Sequence, residues 1–454
     1  MKYISTRGGI EPVNFADAVM MGLATDGGLL LPETLPCFSK NDIERFRNLT
    51  YQELALNIFH PYVGNDISPK VLENLITQSY STFNHPGVAP LVKRGDIYIL
   101  ELFHGQTLAF KDIALQFLGN LFAWILAERG EILNILGATS GDTGSAAIYG
   151  VRGKDHINIF IIHPHGKVSP VQEKQMTSVL DHNVFNIAVK GTFDDGQRIV
   201  KEIFADLDFK QKFHLGAVNS INWARIMAQI VYYFSAYLQL PDSEQKNVDI
   251  VVPSGNFGNI FAGYLAKRMG LPIRRLVLAS NENNILNQFI STGVYQCTEV
   301  LPTWSPSMDI QLASNFERYW YYLHHGDPEM ARQSFAQLRE TGTISINREQ
   351  LLRVQKDFAT GFATNDETLN TIADFHQQTG YILDPHTAVG VKVARQLRRE
   401  EGNNTVTSVC LATAHPAKFP DAVHQAIGSY PPVPESLREI DQRKCRYEIL
   451  PADT

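Results

Sequence analysis

The chain has 454 residues, of which 44% are hydrophobic, and this predicts an ordinary globular protein with more than one domain. Its formal net charge is −7, and its 40 Lys and Arg are scattered among 47 Asp and Glu, so it offers no basic stripe for nucleic acid. The N-terminus lacks the apolar core of a signal peptide and no apolar run approaches a membrane span, so we expect a cytoplasmic protein that binds no membrane.

The four cysteines are too few and too dispersed for a disulfide framework, and none forms a C-x-x-C pair. We expect reduced thiols. The two histidine groups at 163–165 and 324–325 lack a third partner at metal-ligand spacing, which disfavours a zinc site.

The first 80 or so residues carry apolar positions at three- and four-residue spacing, which predicts helices within 12–24, 39–63 and 68–83. The Pro- and Gly-rich stretch NHPGVAPLVKRGD, at 84–96, ends this pattern. We therefore expect a mainly helical N-terminal domain over residues 1–83.

Beyond that stretch, short apolar strands alternate with segments of helix length. This alternating pattern predicts βαβ units and a parallel sheet covered on both faces. In such sheets ligands bind beyond the carboxyl ends of the strands, so we expect the chemistry in the loops that follow them. The predicted strands are 97–102, 132–138, 157–162, 184–189, 248–253, 273–280 and 406–413.

The first of these loops leads into a helix that is predicted to begin near Thr107, with Lys111 in its first turns. The positive end of the helix dipole and the apolar setting should both lower the pKa of this lysine. Such an amine is suited to form a Schiff base. The alternative is that Lys111 extends to solvent or pairs with Asp112.

The second loop, ATSGDTGSAA at 138–147, lies between a strand and a short helix. Its small residues let the backbone approach a ligand closely, and the helix N-terminus together with Thr139, Ser140 and Thr143 could hold a carboxylate or a phosphate. The loop matches neither nucleotide-binding glycine motif. The alternative is a tight turn with a Ser, Thr or Asp cap.

Two later loops add a phosphate site and a ring partner. The loop within 251–270 could wrap a phosphate with the backbone of Ser254, Gly255, Asn256, Phe257, Gly258 and Asn259. The Thr413 hydroxyl, at a strand end, could be a neutral partner for a ring nitrogen, or simply a satisfied strand-end hydroxyl. A lysine, two anion loops and such a hydroxyl form the minimum set for pyridoxal phosphate chemistry on an amino acid.

Five motifs in chain order, HGQTLAFKD, ATSGDTG, NSINWARI, PSGNFGN and TAHPAKF, resemble the threonine synthase family of the long, bacterial and fungal type. The N-terminal run STRGGIEPVNFADAVMMGLATDGGLLLPE resembles the N-terminal domain of that family, so the resemblance spans residues 3 to 420 or so. One departure is Gln106, where the family pattern has Pro.

The resemblance implies the tryptophan synthase β-like fold, fold type II of the pyridoxal phosphate enzymes, with two open α/β lobes. It implies a catalytic region over 84–430, with a smaller lobe at roughly 120–235, and a C-terminal tail over 431–454. The reaction would convert O-phospho-L-homoserine and water to L-threonine and phosphate. Lys111 would hold the cofactor as an internal aldimine, the 254–259 loop would surround its phosphate, and Thr413 would contact its pyridine nitrogen.

The substrate's own phosphate needs a cationic clamp, and the start of a predicted helix supplies candidates. These are Asn219, Ser220, Asn222 and Arg225, and similar residues have this role in the family. The alternative is an ordinary N-cap followed by a surface arginine. The resemblance also implies that Thr139, Ser140 and Thr143 bind the substrate carboxylate and that Asp142 lies near the phenolic oxygen of the cofactor.

Two other functions stay open at this point. Another enzyme with the same cofactor and fold, such as a threonine dehydratase or a β-replacement synthase, would lack the clamp for substrate phosphate. A non-catalytic ligand-binding protein could keep the fold without the chemistry. Both a monomer and a homodimer are compatible with the sequence.

Overall fold

The computed structural model describes residues 1–139, 141–402 and 405–453. The chain forms two compact units, each assembled from three segments. The large unit contains residues 1–73, 87–103 and 220–431, and the small unit contains residues 74–86, 104–219 and those from 432 onward. No helix within the described ranges is long and apolar enough to cross a membrane.

The elements are numbered in chain order. The strands are β1 (Tyr3–Ser5), β2 (Leu30–Pro32), β3 (Leu91–Arg94), β4 (Ile97–Glu101), β5 (Leu133–Ala138), β6 (Ile157–Pro164), β7 (Val184–Lys190), β8 (Leu215–Gly216), β9 (Val248–Pro253), β10 (Arg275–Ser280), β11 (Val294–Gln296), β12 (Thr343–Ser345), β13 (Phe358–Phe362), β14 (Thr407–Ala412) and β15 (Glu448–Pro451).

The α-helices are α1 (Phe15–Met21), α2 (Lys40–Arg45), α3 (Tyr51–Val63), α4 (Pro69–Tyr80), α5 (Lys111–Arg129), α6 (Asp142–Val151), α7 (Pro170–Thr177), α8 (Phe193–Ala205), α9 (Leu207–Lys212), α10 (Trp223–Gln239), α11 (Gly258–Arg268), α12 (Ile285–Thr292), α13 (Phe316–Leu323), α14 (Pro328–Thr341), α15 (Arg348–Asp357), α16 (Asn365–Thr379), α17 (Pro385–Glu401), α18 (Pro420–Ile427) and α19 (Glu435–Arg438).

The large unit is built on a six-stranded sheet with the order β13-β10-β9-β14-β4-β3. Its strands run parallel except β3, which is antiparallel to β4. Four of the predicted strands lie here, and they are confirmed to within two residues at each end. Their side chains are almost all buried, as expected for parallel strands that are covered on both faces.

The N-terminal region is mainly helical, as predicted, and α1 to α4 lie within the three predicted helical segments. The short antiparallel pair of β1 and β2 was missed by the sequence analysis. Each of these strands has only three residues, which is too short for a period of two to appear. The pair is anchored by Tyr3, whose ring contacts those of Phe15 and Trp223.

The small unit contains a five-stranded parallel sheet with the order β15-β7-β6-β5-β8. The predicted strands β5, β6 and β7 are confirmed. The edge strand β15 was not predicted. It comes from the C-terminal segment, and Ile449 lies opposite Ala188 of β7.

Helices α5 and α6 of the small unit cross at two glycines. A Cβ atom at Gly119 would overlap the carbonyl oxygen of Gly150, and a Cβ at Gly150 would lie 2.5 Å from the carbonyl oxygen of Leu115. Because backbone atoms cannot move aside as a flexible side chain can, this crossing requires glycine. It fixes α5, which begins with Lys111, against α6, which begins with Asp142.

We expect Gly119→Ala to destabilise the protein by about 1–3 kcal/mol, because the two helices must separate and overpacking has a cost of this size. This loss would appear despite the better helix propensity of Ala, which is worth about 1 kcal/mol. Urea unfolding measures the change. The matched control is Gly137→Ala, where the nearest atom to a new Cβ is 3.7 Å away, and we expect a change within about 0.5 kcal/mol. Equal effects of both substitutions would contradict the proposed role of the crossing.

Candidate active site

Lys111 is the first residue of α5, so its position at a helix N-terminus is confirmed, although the helix begins four residues after the predicted start near Thr107. The loop before it is held by Asp112, whose carboxylate accepts hydrogen bonds from the backbone N and the Oγ1 of Thr107, at 2.8 and 2.6 Å. Leu108 has a positive φ of 61°, which is uncommon for a residue other than glycine and marks a sharp turn in this loop. The turn thus places the lysine at the start of the helix.

The amine of Lys111 lies 3.7 Å from the Oδ2 of Asp142, and the two side chains are 13% and 6% exposed. The other oxygen of Asp142 accepts a hydrogen bond of 2.7 Å from the Nε2 of Gln172. A neighbouring carboxylate favours the ammonium form of a lysine, which opposes the effect of the helix N-terminus. The lowered pKa predicted from the sequence for Lys111 stays a prediction.

The loop at 138–147 forms a tight turn that is capped by Thr139. Its Oγ1 accepts hydrogen bonds from the backbone N of Gly141 and of Gly144, at 3.0 and 2.9 Å. The side chain of Thr139 therefore shapes the start of α6, as the alternative interpretation expected. Thr143 lies one residue inside α6 and is half-buried. Ser140, the remaining candidate, falls outside the described residues.

In the large unit, the predicted phosphate site, Ser254–Asn259, comprises the loop between β9 and α11 and the first two residues of α11. Phe257 precedes α11 in a left-handed conformation, with a φ of 61°, and its ring packs against the ring of Phe316 with centroids 5.5 Å apart. Asn259 is oriented by two tyrosines: Tyr232 and Tyr233 donate to its Oδ1 at 2.5 and 2.8 Å. These contacts turn the Nδ2 of Asn259 away from the tyrosines.

Two buried polar atoms in the 254–259 segment have no hydrogen-bond partner among the described residues: the Oγ of Ser254 and the Nδ2 of Asn259. Buried polar groups are nearly always paired, so such atoms indicate a ligand or an ordered water. The loop is also narrow, since a Cβ at Gly255 would lie 2.8 Å from the carbonyl oxygen of Ser307. Unpaired donors beside glycine backbone at the start of a helix fit a phosphate group.

Thr413 lies directly after β14 and is 6% exposed. Cys410 of β14 pairs with Val251 of β9, so Thr413 lies level with Ser254 at the carboxyl edge of the sheet. The parallel register therefore places the candidate ring partner and the candidate phosphate loop side by side.

The 219–225 segment joins the phosphate loop through two residues that the sequence analysis missed. The Oγ of Ser314 lies 2.7 Å from the Oγ of Ser220 and donates to the Oδ1 of Asn256 at 3.2 Å. Asn315 donates to the carbonyl oxygens of Ser220 and Asn256, at 3.1 and 3.2 Å. Two loops predicted to bind different anions are thus fixed to one another. Asn219 is half-buried and is the last residue of the second small-unit segment.

Asn222 and Arg225 differ in how many of their side-chain hydrogen-bonding groups find partners in the protein. Asn222 caps α10, because its Oδ1 accepts from the N of Ala224 at 3.0 Å, and its Nδ2 donates to the carbonyl oxygen of Val19 at 2.8 Å. Arg225 is not the surface arginine of the alternative interpretation: it is 3% exposed, and burial lowers its pKa to about 10. Its Nε and Nη1 donate to no residue in the described part of the chain. A buried guanidinium in this state fits an anion.

Arg318, which no sequence motif marked, is fully buried and well satisfied. It donates to the carbonyl oxygens of Leu30 and Ile221 and to the Oδ1 of Asn315, at distances between 2.5 and 3.1 Å. Burial lowers its pKa to about 9. Arg318 therefore fixes strand β2, the turn before α10 and the residue that holds both anion loops.

His386 supports the same loop from α17, whose N-cap is Asp384. Its Nδ1 lies 2.8 Å from the Oδ1 of Asp384, and its Nε2 accepts a hydrogen bond of 3.2 Å from the backbone N of Ser307. Ser307 is the residue whose carbonyl group lies against Gly255. Only the spacing of DPHT, typical of a helix start, could have drawn attention to this pair.

No group of three or more His, Cys, Asp or Glu side chains in the described ranges is arranged to hold a metal ion. All four cysteines are free thiols.

Comparison with known proteins identifies the family. A model of the threonine synthase N terminus matches residues 2–80, one of the threonine synthase C-terminal region matches residues 387–454, and one of pyridoxal-phosphate dependent enzymes matches residues 83–412. The threonine synthase of Pseudomonas aeruginosa is 47% identical over 453 residues, which cover 99% of this chain and 96% of that protein.

Comparison with solved structures identifies the same family. The crystal structure of the pyridoxal-phosphate-bound threonine synthase from Brucella melitensis has a TM-score of 0.96 and 47% identity, covering 100% of this chain and 97% of that one. The yeast threonine synthase has a TM-score of 0.96 and 42% identity, covering 100% and 96% of the two chains. The predicted fold class and cofactor are thereby confirmed. The chain belongs to the threonine synthase family of pyridoxal-phosphate-dependent enzymes.

Proposed function

We propose that this enzyme converts O-phospho-L-homoserine and water to L-threonine and phosphate, and that Lys111 is the residue that joins the cofactor and moves the protons. The observation that carries this proposal is the largely covered amine at the start of α5, which lies 3.7 Å from the Oδ2 of Asp142. A lysine in such a place is costly for folding alone, and it is suited to nucleophilic and proton-transfer chemistry.

Pyridoxal phosphate, when bound, supplies an aldehyde that joins amines and a pyridine ring that takes up electrons from the substrate Cα. The 254–259 loop would hold its phosphate with the unpaired donors of Ser254 and Asn259 and with the backbone of the residues between them. Thr413 would offer a neutral hydroxyl to the ring nitrogen. Asp142 would balance charge near the phenolic oxygen and Lys111.

The substrate would be held at its two anionic ends. Arg225, with Asn219 and Ser220, would bind the substrate phosphate at the start of α10, while the capping contacts of Asn222 would position this helix. The carboxylate would lie at the start of α6, near Thr139, Ser140 and Thr143.

In this arrangement Lys111 would take the proton from the substrate Cα and move protons at Cβ. The guanidinium of Arg225 would stabilise the phosphate as the bond from Cγ to oxygen breaks and the leaving group gains charge. Water would then add at Cβ to give the threonine hydroxyl. A threonine dehydratase needs no such second phosphate site, so a buried arginine whose Nε and Nη1 have no partner among the described residues favours the synthase. The four free thiols support the expected cytoplasmic location.

We expect Lys111→Ala to abolish the visible absorbance of the cofactor joined to lysine. The substitution should lower kcat by at least about a thousandfold, since a positioned acid or base contributes about 10²–10⁴ and the nucleophile is lost as well. The measurement is release of both phosphate and threonine from O-phosphohomoserine. A variant that keeps this activity would contradict the role of Lys111, and a parent enzyme that releases no phosphate would overturn the proposed reaction.

We expect Arg225→Met to raise the KM for O-phosphohomoserine by about 10- to 100-fold, because a charge-assisted hydrogen bond contributes about 1.5–3 kcal/mol. The absorbance of the bound cofactor should stay. Without ligand, the midpoint temperature of thermal unfolding should be unchanged or higher, since replacing a buried charge with an apolar side chain is often neutral or stabilising. The matched control is Arg353→Met on α15, which removes an exposed pair with Glu349. Loss of the cofactor absorbance would instead make Arg225 a cofactor ligand.

A further inference from the structure

Gln172, on α7 of the small unit, is a buried side chain to which neither a sequence motif nor the proposed reaction gives a role; it is 7% exposed. Its Nε2 donates to the Oδ1 of Asp142 at 2.7 Å. Its Oε1 accepts a hydrogen bond of 3.1 Å from the Oγ of Ser169, the N-cap of α7. Since an ionised carboxylate can only accept, the amide nitrogen must face Asp142, and the amide oxygen then accepts from the serine hydroxyl.

The backbone of Gly141 lies directly against the side chain of Gln172. Gly141 has a φ of 143°, a conformation that favours glycine, and a Cβ at this position would overlap the Oε1 of Gln172. The glycine in the ATSGDTG motif therefore makes room for a side chain 31 positions further along the chain. Such close packing fixes the distance between α7 and the first residue of α6.

The carboxylate of Asp142 interacts with both Lys111 and Gln172. One carboxylate oxygen faces the amine of Lys111 at 3.7 Å, and the other accepts from Gln172. The carboxylate is 6% exposed, so water can balance little of its charge. With the amide in place, Gln172 stabilises part of that charge. Without it, the carboxylate would depend more on the ammonium of Lys111, which would hold this lysine in its charged form.

We propose that Gln172 is a positioning residue that orients the Asp142 carboxylate and so allows Lys111 to become a free amine. This inference rests on the proposed function of Lys111. The step it controls is the reaction of the amine with the cofactor aldehyde. The nitrogen lone pair attacks the aldehyde carbon, a carbon–nitrogen double bond replaces the carbon–oxygen one, and the oxygen leaves with two protons as water. Only the neutral amine has the lone pair for this attack.

The test compares two ligands that share a phosphate and a ring. Pyridoxal phosphate has the aldehyde, and pyridoxine 5′-phosphate carries an alcohol in its place and cannot join Lys111. Both dissociation constants are measured by equilibrium dialysis with the full chain. We expect Gln172→Met to weaken pyridoxal phosphate binding by about tenfold or more, the value of one hydrogen bond to a charged group, and to change pyridoxine phosphate binding by less than about twofold.

The controls separate this role from general damage. Gln116→Met makes the same substitution at a buried glutamine of α5, whose Nε2 has no hydrogen-bond partner in the described chain, and it should leave the ratio of the two constants within about twofold of the parent value. Gln172→Glu keeps the shape, removes the donor and adds a like charge, so it should lower the preference for the aldehyde at least as much as Gln172→Met. This variant decides the question if circular dichroism shows that Gln172→Met is unfolded.

Two results for Gln172→Met would overturn the inference: an unchanged ratio of the two dissociation constants, which includes equal weakening of both ligands, or tighter binding of the aldehyde. An equal effect on both would mean that Gln172 only supports the fold. Failure of the proposed function gives a different result. If Lys111 does not join the cofactor, the parent enzyme and Lys111→Ala would show the same preference for the aldehyde ligand. A shift of the ratio in Gln116→Met equal to that in Gln172→Met would also count against a specific role for Gln172.

Discussion

Parallel strand order is the constraint on which the large-unit site depends. In a parallel sheet all carboxyl ends lie at one edge, so a loop after β9 and a residue after β14 must meet there although about 160 residues separate them. The register of Cys410 opposite Val251 brings Thr413 level with Ser254. In the small unit, the Thr139 backbone N likewise donates to the carbonyl oxygen of Ile162, at the end of the adjacent strand. The topology of each sheet therefore determines where its candidate ligand-binding groups lie.

Two buried arginines of the large unit differ in role: one stabilises the fold, and the other is available to bind an anion. Burial lowers the pKa of both. Arg318 is surrounded by oxygen acceptors and joins three segments of chain, so its charge is used for structure. Arg225 has two nitrogens without a partner in the described residues. An uncompensated buried charge costs several kcal/mol, and its retention is understandable when an anion completes the site.

Much of this arrangement could be predicted from sequence, because its signals are local. Apolar runs located the seven main strands, and periodicity and glycine content predicted a helix with Lys111 near its start and the loop before α11. The supporting residues could not be found in this way. Arg318, Asn315 and Gln172 act on groups between about 30 and 290 positions away in sequence, and only the tertiary structure reveals those contacts. β15 escaped because all four of its residues are exposed, so it lacks the buried face that marks a strand.

The C-terminal segment is the last support that α7 receives. The backbone N of Arg446 donates to the carbonyl oxygen of Thr177, and Lys174 donates to that of Asp441, before β15 pairs with β7. During translation, α7 and its sheet thus emerge from the ribosome some 270 residues before their final partners. Because nascent domains fold in order of synthesis, the small unit keeps an open sheet edge until β15 has been synthesised. A ribosome that stalls before β15 is made would leave that edge of β7 open to pairing with other chains.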